Sequence, residues 1–354
     1  MKLSIDKNIQ EIPFYPKAMK YGLDDGWARL ASNENPYPPS QKVLSAILDM
    51  LSSVNRYPGN EFELKTAISD KFKAKPEQIV LGDGSDEIIE LTLKAMKYRG
   101  KNKVVISEPS FAFYAIASKI YGYETHKVPV VNMKVELNMI KEAIDDRTRV
   151  VFLNNPLNPT GTIFEDIEFK TFLQGLPPEV LVVVDEAYAE FAENGNFPDS
   201  FKYINDYPVL ILRTFSKAYA LAGLRVGYGI GESSLISFLE RTRQPFSVNT
   251  IALAAAKAAI EDGDHLEKVL DNNRKGKQFF YNAFKHLSLD YVPTESNYIL
   301  FKCGERAETL IKKLFEEKIL ARWMEPYGLR DYIRVSIGKM EENERFIEAL
   351  EGML

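Results

Sequence analysis

The stretch Val180–Phe191 reads VLVVVDEAYAEF: five apolar residues that stop abruptly at two carboxylates. The run is rich in β-branched residues, too short for a helix, and lacks in–out alternation. That is the pattern of a strand covered on both faces. Val104–Ile106, Val150–Leu153 and Val209–Leu212 have the same character. Helical spacing separates them, as in Phe113–Tyr121 and Leu137–Ile144. Strand–helix alternation of this kind predicts an α/β fold: a mostly parallel sheet with right-handed crossovers, sandwiched by helices.

The segments that follow the runs carry the functional signal. SEPSFAFY follows Ile106, NNPLNPTG follows Leu153, DEAYAEF follows Val184 and RTFSK follows Leu212. Ligands of open α/β sheets bind at the carboxyl ends of strands. The four ends therefore converge Phe111, Asn158, Asp185, Tyr188, Ser216 and Lys217 on one crevice. A single polar loop is ordinary; four together mark a site.

At 354 residues the chain has room for two lobes. We expect an N-terminal arm (1–39), a large domain (40–263) and a small α+β domain (264–354). In the small one a helix bearing Leu310, Ile311, Leu314 and Phe315 precedes DYIRVSIG, whose alternation puts Ile333, Val335 and Ile337 on one face. The arm is expected to pack on this small domain.

A net charge of -5 argues against a nucleic-acid partner. One cysteine, Cys303, excludes an internal disulfide and suits a reducing compartment. The N-terminus lacks an apolar signal core, and no run is long enough to span a bilayer, so a soluble cytoplasmic protein without a membrane partner is expected. His126, His265 and His286 are scattered without ligand spacing, so no metal is expected. There is no G-x-S-x-G elbow, and GYGIGE at Gly227–Glu232 lacks the spacing of a dinucleotide fingerprint; it reads as strand and turn.

Three stretches carry chemistry. In QIVLGDGSDEIIELTLKAMK (Gln78–Lys97) an apolar stretch meets glycines at a helix start, where free N–H groups form an anion site, although Ser85 or Asp86 could simply cap the helix. Asp83 and Asp86 would repel a phosphate there unless they point elsewhere. Asp185, at the end of a buried strand, needs a partner: an arginine, capping N–H groups, or a protonated ring nitrogen. In RTFSKAYALAGLRVGYG (Arg213–Gly229) Lys217 and Arg225 are separated by small or apolar residues and Tyr219, which points to a covalent partner or an anion.

NPTG, then a strand ending in DEAY, then SK followed by GLRVGY, is an ordered set that resembles the fold-type I pyridoxal-phosphate (PLP) aminotransferases over essentially the whole chain. Within that superfamily the chain is similar to the histidinol-phosphate aminotransferases. LASNENPYPPS (Leu30–Ser40), RYPG (Arg56–Gly59), GDGSDE (Gly82–Glu87), RQPFSVN (Arg243–Asn249) and YIRVSIGKMEEN (Tyr332–Asn343) carry that likeness.

The resemblance implies a PLP cofactor held covalently by Lys217, with Asp185 at the pyridine nitrogen and Tyr188 and Asn158 at the phenolic oxygen. Phe111 would stack on the ring, Gly84, Ser85, Ser216 and Arg225 would bind the phosphate, and Asp86 would also contact the cofactor. Tyr57 would reach into the site of a second subunit, making the active unit a homodimer. Arg334 would clamp a substrate α-carboxylate, Arg322 would contact the phosphate of histidinol phosphate, and Tyr15 and Asn33 would also contact substrate. The reaction implied is ping-pong transamination between an amino donor, histidinol phosphate first, and a 2-oxo acid such as 2-oxoglutarate. The alternatives are a threonine-phosphate decarboxylase, which shares much of the pattern, and an aromatic amino-acid aminotransferase, to which Trp323 lends weight. Trp323 stands where the family commonly has proline, and a ring there could reshape the distal pocket.

Overall fold

The computed structural model describes residues 4–5, 7–14 and 26–354. In chain order its strands are β1 (Ala28–Arg29), β2 (Ile79–Gly82), β3 (Lys103–Glu108), β4 (Glu124–Pro129), β5 (Thr148–Asn154), β6 (Leu181–Asp185), β7 (Val209–Thr214), β8 (Gly227–Gly231), β9 (Tyr291–Val292), β10 (Tyr298–Lys302), β11 (Ile319–Leu320), β12 (Arg322–Trp323) and β13 (Tyr332–Ser336).

Seven of these form one sheet in the order β2-β8-β7-β6-β5-β3-β4. The contacts from β7 through β4 are all parallel; only β8 runs against its neighbours. The four apolar runs of the sequence are thus β3, β5, β6 and β7, adjacent at the sheet's centre. Hydrophobic clusters cover both faces. Val182, Val184 and Ile211 belong to one, and Leu181, Val183, Leu210 and Leu212 to the other. Burial on both sides is why the runs lack alternation.

The second sheet, β12-β13-β10-β9, is antiparallel throughout. Ile333 and Val335 of β13 enter a third core with Phe280, Phe284 and Phe346, contributed by the helices Gly263–His286 and Met340–Glu351. Ala28 and Leu30 lie in the same core, and β1 pairs in parallel with β11. Among the described residues no helix is long and apolar enough to cross a membrane.

The two sheets meet over the crevice. Tyr298 donates its hydroxyl to the Leu157 carbonyl at 2.9 Å, and the Glu295 amide donates to the Gly161 carbonyl at 2.8 Å. Gly161 has φ +78°, and a methyl group there would lie 1.8 Å from Thr294 Oγ1. Only glycine permits that approach.

Candidate active site

The carboxyl ends of the central strands enclose a cavity of about 190 Å³. The loop beyond β3 supplies Phe111, β5 and its loop supply Asn154 and Asn158, and β6 supplies Asp185 and Tyr188. Thr214, Ser216 and Lys217 come from β7, and Ser85, Asp86 and Arg225 close one end. All six side chains that strand-end reasoning assigned to one crevice therefore line it.

Asp185 follows Leu181 and Val183 in the two-residue period of β6, so it leaves the sheet on their face. There it accepts the Tyr114 hydroxyl at 2.6 Å and the Ala187 amide at 3.1 Å. No cation pairs with it among the described residues. Burial pushes its carboxyl up to about 6, because these donors do not offset the desolvation and Asp86 and Glu186 add repulsion. Glu186 exits on the opposite face, 2.7 Å from the buried Arg213, which also bonds Glu190 at 3.0 Å. The neighbouring carboxylates thus have separate tasks: one is neutralised inside the protein, the other faces the cavity without a counter-charge.

Lys217 opens onto the same cavity. Its Nζ donates to the Ser32 carbonyl at 3.1 Å and sits 5.7 Å from the Tyr188 ring centre. Burial first, then the charges of Arg334 and Arg225, lower its ammonium to about 8 against the partial opposition of Glu34 and Asp86. The backbone beneath it is pinned by Asn35, whose Nδ2 donates to the carbonyls of Lys217 and Ala218.

The end of the cavity beside Arg225 depends on two glycines. The helix Gly84–Ala95 begins two residues after β2, and neither Ser85 nor Asp86 caps it; Asp83 holds the cap position without a side-chain bond. The first N–H groups of the helix are left for another acceptor. Gly84 has φ +70°, and a Cβ on it would lie 2.4 Å from Arg225 Nη2. A Cβ on Gly227 would meet the Ser85 amide nitrogen at 2.6 Å. Arg225 reaches Ser216 Oγ at 3.4 Å and Asp86 Oδ2 at 3.3 Å, with Asp83 at 3.9 Å. The two aspartates that threatened to repel a phosphate are therefore engaged by the arginine.

At the other end Arg334 donates to Asn158 Oδ1 at 2.5 Å and to the Ala31 carbonyl at 2.9 Å, while its buried Nε has no partner among the described residues. Asn33 has φ 55° and donates its side-chain amide to the Tyr188 hydroxyl at 2.9 Å, so it orients that tyrosine. Arg322 is not in the wall around Lys217 but pairs in register with Arg334, which puts both arginines on one face of the small sheet. Trp323 pairs with Ile333 on the other face, packs into the third core and donates its indole N–H to the Arg330 carbonyl at 2.7 Å. Its ring therefore lies on the face opposite the two arginines. Tyr57 is 81% exposed and stacks on Phe246 at 4.7 Å, away from the crevice of its own chain. Tyr15 lies outside the described residues.

Tyr114 and Asn154 escaped the sequence reading. Asn154 accepts the Asn158 amide at 2.7 Å and donates to the Asp185 carbonyl at 3.0 Å, tying two strand ends together. The doubled asparagine of NNPLNPTG was a cue for it. Tyr114 had none, being one aromatic in an apolar helix.

Residues 25–350 match the family model for aminotransferases of class I and II, and the chain belongs to that family. It is 44% identical to histidinol-phosphate aminotransferase 2 of Pseudomonas fluorescens, over 92% of this chain and 88% of that one. Identity to the histidinol-phosphate aminotransferase of Moorella thermoacetica is 38%, covering 99% and 92%. The crystal structure of histidinol-phosphate aminotransferase from Sinorhizobium meliloti in complex with pyridoxal-5'-phosphate superposes with a TM-score of 0.88, at 26% identity, covering 99% and 98%. The protein is a PLP-dependent aminotransferase. Its crevice fits that cofactor: a depressed lysine amine, a buried carboxylate lacking a cation, and a glycine-lined arginine and helix start face one small cavity.

Proposed function

We propose that the chain transaminates histidinol phosphate with 2-oxoglutarate, yielding imidazole-acetol phosphate and glutamate. Lys217 would hold PLP covalently and Asp185 would face its ring nitrogen. Tyr188 and Asn158 would bind the phenolic oxygen, Phe111 would cover the ring, and Gly84, Ser85, Asp86, Ser216 and Arg225 would surround the phosphate. The bound cofactor supplies an electron sink that makes a proton beside an amine removable. Lys217, with an amine depressed to about 8, is suited to take and return that proton at Cα. Asp185, otherwise uncompensated, gains its counter-charge from a protonated ring nitrogen. Tyr188, oriented by Asn33, and Arg334 are both buried at the reacting end.

The observation that supports a phosphorylated donor is the register pairing of Arg322 with Arg334. Two adjacent guanidinium groups suit a dianion, and Arg334 alone suits the carboxylate of the second substrate. The same reading divides the chain at residues 39 and 263 and places the enzyme in the cytoplasm. It makes the working unit a homodimer in which Tyr57 enters the partner's site, in keeping with the exposed apolar surface of Leu48, Leu51, Val54 and Phe62.

The test is a steady-state comparison of histidinol phosphate, phenylalanine and threonine phosphate with 2-oxoglutarate. Stoichiometric glutamate, at the highest kcat/KM with histidinol phosphate, supports the reading. Preference for phenylalanine, or carbon dioxide released from threonine phosphate without glutamate, contradicts it.

A further inference from the structure

We propose that Tyr114 is a positioning residue for the cofactor: its hydroxyl fixes the direction of the Asp185 carboxylate, and its ring fixes the plane of Phe111. The inference rests on Asp185 being the carboxylate that faces the ring nitrogen. Tyr114 opens the helix Phe113–Ile120 and is fully buried. Its ring lies parallel to Phe152 at 4.9 Å and meets Phe111 edge-on at 5.4 Å. One rigid side chain thus stands behind both the group that faces the ring's edge and the group that covers its face.

The hydrogen bonds explain why the carboxylate cannot turn. Asp185 Oδ2 takes the Tyr114 hydroxyl at 2.6 Å, and Oδ1 takes the Ala187 amide at 3.1 Å. Rotation about the side-chain torsion breaks both bonds. Burial and the neighbouring Asp185 hold the phenol well above its ordinary range, so the hydroxyl remains a donor at every working pH. Its partner is 71 residues away at the end of β6, so the pairing is set by the fold rather than by a local turn. The competing explanation is that Asp185 merely satisfies a core tyrosine. In that case the tyrosine's contribution would be to stability and would not depend on what the carboxylate does.

A double-mutant cycle separates the two. Tyr114→Phe, Asp185→Asn and the double variant are prepared as full-length protein, and PLP affinity and the visible absorbance of the loaded enzyme are measured across pH. Tyr114→Phe is expected to weaken PLP binding about tenfold, the worth of one hydrogen bond to a charged group. It is expected to raise the pH midpoint of the bound cofactor's absorbance, because a less cationic ring holds the proton of its linkage more firmly. It should lower kcat with little change in donor KM. In the Asp185→Asn background the same substitution is expected to change PLP affinity less than about twofold. Phe152→Leu, which removes packing but keeps the hydroxyl, should lower thermal stability without moving the absorbance midpoint.

Equal losses in both backgrounds, or a Tyr114→Phe enzyme with wild-type affinity and spectrum, would overturn the proposal. If Asp185→Asn alone leaves affinity, spectrum and kcat unchanged, the assignment of Asp185 fails, and this inference fails with it.

Discussion

Asp185 and Lys217 show how the same burial moves an acid and a base toward each other. The carboxyl rises to about 6 and the ammonium falls to about 8. For Asp185 the folded value exceeds the unfolded one, near 3.9, so its contribution to stability is lost as pH rises between about 4 and 6. Above that window the apoprotein carries the full penalty of an ionised, desolvated carboxylate. Asp185→Asn is therefore expected to raise the melting temperature of the cofactor-free protein at pH 7.5, with the advantage gone at pH 4. Functional groups held against their solvation are commonly destabilising in this way. Lys217 has the opposite sign: its neutral form grows as pH rises through about 8. Covalent capture of added PLP, followed by absorbance, should accelerate across that pH. Arg334→Leu removes one of the charges that depress the amine and should move the acceleration to higher pH. An unchanged profile would show that Arg334 does not act on Lys217.

At the scale of elements, the strand ends are governed by close approach. Gly84 cannot gain a side chain without displacing Arg225, so Gly84→Ala should weaken PLP affinity at least tenfold while leaving the global fold intact by circular dichroism. Gly161→Ala would drive a methyl group into Thr294 where the two sheets meet, and is expected to cost about 1–3 kcal/mol in denaturant unfolding.

This is also the scale at which the sequence was most legible. Runs such as LVVVD announce doubly covered strands, and strand-end logic placed Phe111, Asn158, Asp185, Tyr188, Ser216 and Lys217 together without any contact information. Pairings between distant segments were not legible. Tyr114 looks like core because its acceptor comes from a strand 71 residues away. Arg213 and Glu186 give no hint that they neutralise one another across 27 residues. The side of the sheet taken by Trp323 is decided by its register with Ile333, which a two-residue strand does not announce.

For the whole molecule, the proposed sharing of sites between subunits has a direct consequence. Tyr57 projects from the surface on which Phe246 also lies exposed, and it is absent from its own crevice. Lys217→Ala and Tyr57→Ala proteins, each impaired alone, should regain activity when unfolded together and refolded, because each hybrid dimer contains one site with both native residues. No gain on mixing would mean that Tyr57 serves no partner site. The proposed chemistry turns on the lysine. Purified enzyme loaded with PLP should be reduced with borohydride, digested and analysed by mass spectrometry. The pyridoxyl mass is predicted on the peptide that contains Lys217 and to be lost in Lys217→Ala; the label on another lysine, or no label on a loaded enzyme, would contradict it.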